Sequence, residues 1–284
     1  MVKTVIQFQL EKIKTNLLTF LLVVATVLIV IYIGYRHDTL KQSLAYLLVM
    51  WLCSFFIDLY AIKKASTVGF VVRNPKRETY YFLVCFLLGL LFFYFRFSPS
   101  VDWQHLSGIK RLAVLPLIIF AFPIALAIIL LILKYKPSDL GLRMRAFILI
   151  IPIILISALA NRLVSPQSLT WDAVLAESGG VFGTLFSGII LAGLSEEFFR
   201  VVGQTRIGAY FNNFGIGWFI TTLLWALMHV PKWYSEDLNL TEAILSSIRI
   251  IPIGLMWGYL THRTKSFVPA VIVHGLNFWG LQNF

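Results

Sequence analysis

Two glutamates and an arginine interrupt a long apolar stretch in GLSEEFFRVV, residues 193–202. A charged side chain near the middle of a bilayer costs at least ~2.5–3.5 kcal/mol on insertion scales, so such groups usually serve a function. On a helix Glu196 and Arg200 share a face and can form an ion pair, whereas Glu197 points about 100° away. A carboxylate that the arginine does not hold can act as a general base. A structural ion cluster at a helix end, near the lipid headgroups, is the alternative.

Two histidines and an asparagine occur in later apolar stretches. In LLWALMHVP, Trp225 precedes His229 by one helical turn, and in PAVIVHGLNFWG, His274 and Asn277 lie on nearly the same side of a helix. A single buried histidine is commonly a structural residue, but here two accompany a carboxylate pair. Ionisable groups inside a membrane usually face the bundle interior or a water-filled cavity. We therefore predict that three helices direct these side chains into one shared site.

Two further ionisable residues stand inside apolar stretches and are left out of this site. Arg249, in SSIRIIPIG, is a candidate partner for Glu197, although a structural or lipid-facing role suits it better. Asp58, in SFFIDLYAI, has no partner that the sequence reveals.

The composition predicts the elements that must position these residues. Hydrophobic residues make up 59% of the chain and charged residues 13%, which is typical of an integral membrane protein. A helix needs ~20 residues to cross a hydrocarbon core of ~30 Å. We predict an all-α membrane helix bundle of eight or nine spans, with candidates at 17–34, 42–62, 79–96, 112–134, 146–160, 181–200, 215–230, 243–261 and 267–283.

The depth of His229 is a difficulty for the shared site. Alternating spans would put Glu196 and His274 in one half of the membrane and His229 near the opposite end of its span. Either the helix that carries Glu196 continues well past Arg200, through VVGQTRIGAY, or the boundaries predicted around His229 are wrong.

The net charge of +11 comes mainly from short loops between apolar spans, which argues against a nucleic-acid surface. With the N-terminus in the cytoplasm, the inside loops hold fifteen lysines and arginines and the outside loops seven. This bias satisfies the positive-inside rule and predicts a cytoplasmic N-terminus. We expect a multi-pass protein of a plasma membrane, of bacterial type, whose partners are the lipid bilayer and a peptide or protein substrate.

Chemistry is confined to the second half of the chain. Residues 1–136 show no motif that we can connect with a reaction, and we predict that they form a scaffold of transmembrane helices. The linker KYKPSDLGLRMR follows, where Pro137 and Ser138 suit the start of a short helix or turn. Residues 137–284 are predicted to form the core that carries the site.

Three segments in order, SEEFFR, WALMH and HGLN, resemble the signature motifs of the CAAX-protease and bacteriocin-processing family, also called CPBP or Abi. This family consists of glutamate-dependent intramembrane proteases. The resemblance runs from about Pro137 to Phe284, with SDLGLR similar to the lead-in of the family. It implies an all-α bundle in which Glu196 activates water beside Glu197, with Arg200, His229, His274 and Asn277 as further catalytic residues.

The motifs depart from the family pattern in three places. Where the family has E-E-x-x-x-R, this chain has E-E-x-x-R, which is one residue shorter. Aligning the two motifs on Arg200 would place Ser195 and Glu196 at the glutamate positions, and we align them on the glutamates instead. Where the family has F-x-x-x-H, this chain has a tryptophan, Trp225, in place of the phenylalanine. H-x-x-x-N is matched only in part, since the nearest amide, Asn277, stands three residues after His274 rather than four.

The resemblance implies an intramembrane endopeptidase for membrane-proximal peptides, for example a leader peptide or bacteriocin precursor, without a cofactor or metal. A zinc protease is one alternative, because a glutamate and two histidines are ordinary zinc ligands, although no H-E-x-x-H is present. The other alternative is an inactive scaffold, immunity or regulatory protein that acts through a membrane-protein partner. A protein that has lost catalysis is expected to show drift in its motifs, such as the shortened first motif and the displaced asparagine found here.

Overall fold

The computed structural model describes residues 2–64, 69–97, 126–128, 130–164, 175, 180–235 and 239–277. Every regular element within these ranges is a helix, and the helices pack side by side around a continuous apolar core. The predicted all-α membrane helix bundle is therefore confirmed.

The N-terminal part consists of long apolar helices with polar breaks between them. The backbone leaves helical geometry at Asn16 (φ −134°, ψ 49°), and Asp38, with a φ of 57°, reverses the chain after the next helix. Leu21 and Leu28 of that helix are 53% and 60% exposed, as expected of a surface that faces lipid. The helices are α1 (Val2–Thr15), α2 (Leu17–Arg36), α3 (Leu40–Lys63) and α4 (Pro75–Phe97).

The C-terminal part begins with a 3₁₀ turn at Pro137–Leu140, which confirms the short helix predicted there. The turn ends at Gly141, whose φ of 90° suits a residue without a Cβ. A second 3₁₀ turn leads into α5 (Ile150–Val164), followed by α6 (Gly180–Leu185), a π-helix (Phe186–Leu194), α7 (Ser195–Tyr210), α8 (Phe214–Leu227), α9 (Val230–Ser235), α10 (Leu240–Arg249), α11 (Ile251–Thr264) and α12 (Val268–Gly275).

Local sequence signals set several of these helix ends. The Asn213 side chain accepts a hydrogen bond from the Ile216 N–H (3.2 Å) and caps α8. Asn239 caps α10 in the same way, through the Glu242 N–H (3.0 Å). Prolines in the first turns of α11 and α12 start both helices without the loss of an internal hydrogen bond.

Five stretches of the described chain are long and apolar enough to cross a membrane. The predicted span 79–96 falls within α4, and 181–200 falls within the run from α6 to α7. The predicted spans 112–134 and 267–283 extend outside the described residues. The five stretches are Leu17–Arg36, Leu40–Lys63, Phe147–Val164, Phe214–Tyr234 and Leu240–Thr264.

An ion pair with a fully buried acid joins α3 to α11. The Asp58 carboxylate accepts hydrogen bonds from Arg263 Nε (2.8 Å), the Tyr259 hydroxyl (2.6 Å) and Gln9 Nε2 (2.9 Å). The sequence did not reveal these partners of Asp58, because they lie more than forty residues away along the chain.

A second buried ion pair joins α4 to α7. Arg206 Nε lies 3.1 Å from Glu78 Oε2, and the side chains of the two residues are 0% and 2% exposed. The Tyr135 hydroxyl donates to the other Glu78 oxygen at 2.6 Å. Both ion pairs cross the predicted boundary at residue 136, so the N-terminal helices pack directly against the helices that carry the candidate site.

Candidate active site

The helix that carries the glutamates is continuous from Gly180 to Tyr210, through α6, the π-helix and α7. It therefore extends well past Arg200, which was the first of the two explanations offered for the depth of His229. Glu196 lies in the middle of this run rather than at its end. α7 packs against α8, α4 and α11, so its polar side chains point into the bundle.

Glycines allow the π-helix and α12 to approach each other closely. A Cβ at Gly275 would lie 2.6 Å from the Ile189 Cα, and a Cβ at Gly193 would collide with the Val271 carbonyl oxygen. The backbone of α12 therefore packs directly against the backbone of the π-helix. The contact places His274, at the end of α12, next to the start of α7.

Arg200 pairs with Glu197 rather than with Glu196, which corrects the pairing predicted from the sequence. Residues three apart on a helix are neighbours just as residues four apart are. Both side chains are 1% exposed. Arg200 also donates to the Gly254 carbonyl oxygen. Glu197 has its second bonded partner in His274, so the partners of Glu197 are Arg200 and His274 rather than the candidate Arg249.

Glu196 faces the aromatic and imidazole groups. Its Oε2 accepts a hydrogen bond from Trp225 Nε1 at 2.5 Å. The same oxygen lies 3.9 Å from His229 Nε2 and 3.6 Å from His274 Nε2. Its side chain is 24% exposed, in contrast to that of Glu197. α7, the turn after α8, and α12 thus bring Glu196, His229 and His274 together.

Each imidazole is held through its Nδ1 atom. His229 Nδ1 lies 3.0 Å from the Trp225 carbonyl oxygen, and His274 Nδ1 lies 2.8 Å from Glu197 Oε1. Oxygen atoms of this kind accept hydrogen bonds, so Nδ1 carries the proton in both rings. Nε2 of each ring is then the atom that gains or loses a proton, and both Nε2 atoms face Glu196.

Tryptophans pack around the imidazole of His274. The Trp257 ring stacks on His274 with centroids 3.9 Å apart and planes 15° apart, and Trp225 meets the same ring edge to face at 6.1 Å. The Arg200 guanidinium lies over both indoles, 5.1 Å from Trp225 and 5.3 Å from Trp257. The charged groups therefore lie in an aromatic enclosure that fixes their orientation.

Sequence reasoning missed Trp257 and the Gly254 carbonyl. Trp257 sits in the apolar run of α11 with no charged residue beside it, so its pattern is that of a packing residue. The one available signal was the residue type, because a large aromatic ring inside a bundle packs against other rings, here that of His274.

Asn277 follows α12 and is partly buried. Its backbone N–H donates to the His274 carbonyl oxygen at 3.0 Å, which closes the turn after the helix. The assignment of its side chain to an oxyanion stays a prediction.

The described residues contain no group of three or more histidine, cysteine, aspartate or glutamate side chains arranged to hold a metal ion. Glu196 Oε2 is more than 3.5 Å from both Nε2 atoms. Zinc ligands lie about 2.0–2.2 Å from the ion and so stand roughly 3.3–3.6 Å from one another, and chelation is the test of the zinc alternative.

Residues 178–279 match the family model described as type II CAAX prenyl endopeptidase Rce1-like. This part of the chain is therefore similar to that family. The match confirms the resemblance to the CAAX-protease family, and the Rce1-like segment contains every candidate site residue from Glu196 to Asn277. It supports a peptidase at the level of the family, in a protein with membrane-spanning helices. No curated protein and no solved structure matches the chain.

Proposed function

We propose that the protein is an intramembrane endopeptidase in which Glu196 activates a water molecule. The observation that carries the proposal is the set of three groups around one carboxylate oxygen, Trp225 Nε1 and the Nε2 atoms of His229 and His274. A general base needs a carboxylate that is oriented but accessible, and Glu196 is the more exposed member of the glutamate pair.

The reaction begins when Glu196 removes a proton from water and the water oxygen attacks the peptide carbonyl carbon. His229 assists by sharing that proton through Nε2. The carbonyl oxygen becomes an oxyanion, and protonated His274 and the Asn277 amide stabilise it. The peptide C–N bond then breaks, and the proton held by the site passes to the leaving nitrogen.

Glu197 and Arg200 act on His274 rather than on water. Glu197 Oε1 accepts a hydrogen bond from His274 Nδ1 (2.8 Å) and stabilises the imidazolium that the oxyanion requires. Arg200 compensates the buried charge of Glu197 and ties α7 to α11 through the Gly254 carbonyl. In this assignment the two glutamates have different roles.

The substrate class follows from the location of the site inside a membrane bundle. We propose membrane-proximal peptides, such as a leader peptide or bacteriocin precursor, cleaved in a plasma membrane of bacterial type with the N-terminus of the enzyme inside. A prenylated peptide is the comparison substrate, because the matching family is described as a prenyl endopeptidase family.

The test uses the full chain, purified in detergent and reconstituted into liposomes with fluorophore-quencher peptides. The panel contains unmodified membrane-anchored peptides and a prenylated CAAX peptide. Glu196→Gln keeps the shape of the side chain but removes the basic oxygen, so we expect a loss of about 10²–10⁴-fold in turnover with unchanged thermal unfolding. Glu197→Gln should lower turnover less.

The same assay separates the alternatives. Equal turnover by Glu196→Gln and wild type would show that this carboxylate is not the base. Loss of activity on chelation, with recovery on zinc, would establish a metalloprotease. If a deletion phenotype in cells is rescued equally by Glu196→Gln and by wild type, the protein acts as a scaffold.

A further inference from the structure

A cavity of about 450 Å³ lies between α1, α2, α3, α8 and α11. It shares no lining residue with the candidate active site. Its walls are mainly apolar, with Phe20, Val23, Trp51 and Trp218 among them. A cavity of this size accommodates part of a lipid or another small amphiphile.

Two cations with spare hydrogen-bond donors line the cavity, Lys12 and Arg263. Lys12 is exposed, and its contact is with the Phe8 ring, 5.4 Å from its ammonium. Arg263 also lies over Phe8, at 4.4 Å, and uses Nε to bind Asp58. Its two terminal nitrogens make no hydrogen bond with the part of the chain that the structure describes, and its side chain is 18% exposed.

Asp58 is the acid in this cavity, and hydrogen bonds already occupy its carboxylate. One oxygen accepts from Arg263 and Tyr259, and the other accepts from Gln9. The positive charge of Lys12 is left without a compensating acid among the described lining residues. Burial, together with the charges of Arg263, Arg143 and Lys12, lowers the pKa of nearby Lys265 to about 8. Cations are therefore in excess here.

The cavity opens where several helices reach the same membrane surface. α2 and α8 begin at this end of the bundle, at Leu17 and Phe214, and α11 ends there at Thr264. α1 lines the cavity with Gln9 and Ile13, and Val2 and Ile6, two turns earlier on the same side of this helix, are 55% and 45% exposed.

An exposed apolar stripe beside lysines is typical of a helix that lies in the membrane interface. Lys12 and Arg263 are thus at headgroup level. Val23 and Trp51 lie deeper, since each is several residues along its helix from this surface.

We propose that this cavity binds one anionic phospholipid. Lys12 and the terminal nitrogens of Arg263 hold the headgroup phosphate, and an acyl chain packs against Phe20, Val23 and Trp51. An anionic headgroup matches the excess of cations, and an acyl chain matches the apolar wall, which a soluble anion would leave uncovered.

The test is native mass spectrometry of the full chain, delipidated in non-ionic detergent and titrated with dioleoylphosphatidylglycerol or dioleoylphosphatidylcholine. We expect tighter binding of the phosphatidylglycerol. Lys12→Gln should weaken it about fivefold, which corresponds to ~1 kcal/mol for one cation near an anionic headgroup. Lys12→Arg should keep the affinity, and Val23→Phe should lower it by filling the space for the acyl chain.

Lys14→Gln is the matched control, because it removes the same charge from the same helix at a position that does not line the cavity. Equal binding of the two lipids, or equal effects of Lys12→Gln and Lys14→Gln, would overturn the proposal. Displacement of phosphatidylglycerol by inorganic phosphate at the same concentration would instead show a site for a soluble anion.

Discussion

Glu196 and Glu197 are adjacent in the sequence, yet they lie in different environments. A shift of one residue on a helix turns a side chain by about 100°, so one carboxylate reaches Arg200 and the other reaches Trp225. The shortened E-E-x-x-R spacing accounts for this arrangement, since the three-residue interval brings the second glutamate to the arginine. A motif that departs from the family pattern therefore still forms a buried ion pair.

The indole of Trp225 is expected to orient the proposed base. Trp225→Phe removes the donor to Glu196 Oε2 but keeps an aromatic ring, which is also the residue of the family motif. A hydrogen bond to a charged group contributes ~1.5–3 kcal/mol, so we expect kcat to fall about ten- to hundredfold while KM changes little. Steady-state kinetics on the peptide panel measure both constants. An unchanged kcat would mean that the imidazoles alone orient Glu196.

Arg200 is expected to be a stability residue as well as a positioning residue. Arg200→Ala leaves Glu197 charged, buried and without its ion-pair partner, which costs about 3–5 kcal/mol in such sites. Thermal unfolding in detergent measures the loss. Arg36→Ala is the control, because the Arg36 and Glu242 side chains are 45% and 19% exposed and a pair that water reaches contributes about 0–1 kcal/mol. Equal effects of the two substitutions would contradict the buried-pair argument.

At the scale of elements, the π-helix and α12 form the joint that sets the position of His274. The sequence predicted an apolar span at 181–200, and the structure keeps that span but gives its middle part, Phe186–Leu194, π geometry. Hydropathy does not distinguish an α-helix from a π-helix in this span, because its residues are almost all apolar and both helices satisfy their backbone hydrogen bonds internally. The glycines at positions 188, 193 and 275 were visible in the sequence, but the helix that they would meet was not.

Gly275→Ala is expected to disturb this joint. Its Cβ would lie 2.6 Å from the Ile189 Cα, so α12 would have to move away from the π-helix. Misplacement of a catalytic group by ~1 Å costs about 10²-fold, and we expect a loss of that size in kcat. Gly69→Ala serves as the control, since no atom lies within 4 Å of the added Cβ. Wild-type kcat in Gly275→Ala would show that the helices tolerate the displacement.

For the whole molecule, the sequence predicted the all-α bundle and the residues that meet, because apolar runs and intramembrane charges leave clear signals. It did not predict which charges pair across the bundle. Asp58 binds Arg263, more than two hundred residues away, and nothing local to either residue indicates the other. α7 likewise extends far enough past Arg200 to bury Arg206 against Glu78, more than one hundred residues away in the sequence. Pairing depends on helix packing, which a single sequence does not encode in any short pattern.

The orientation of the bundle in the membrane follows from the loop charges and is open to a direct test. We predict that Lys76, at the start of α4, faces the cytoplasm and that Lys41, at the start of α3, faces outward. α3 runs from Leu40 to Lys63, which at 1.5 Å per residue is about 36 Å and enough to separate the two surfaces. Both lysines are exposed, so cysteines at these positions should react with a maleimide.

In intact bacterial cells an impermeant maleimide should label Lys41→Cys at once and Lys76→Cys only after permeabilisation. The native Cys53 and Cys85 are 0% and 4% exposed and give little background. The two variants control each other, because they differ in the side on which the cysteine lies. The reverse pattern would overturn the predicted topology, and it would also place the mouth of the cationic cavity and Lys12 on the outer surface.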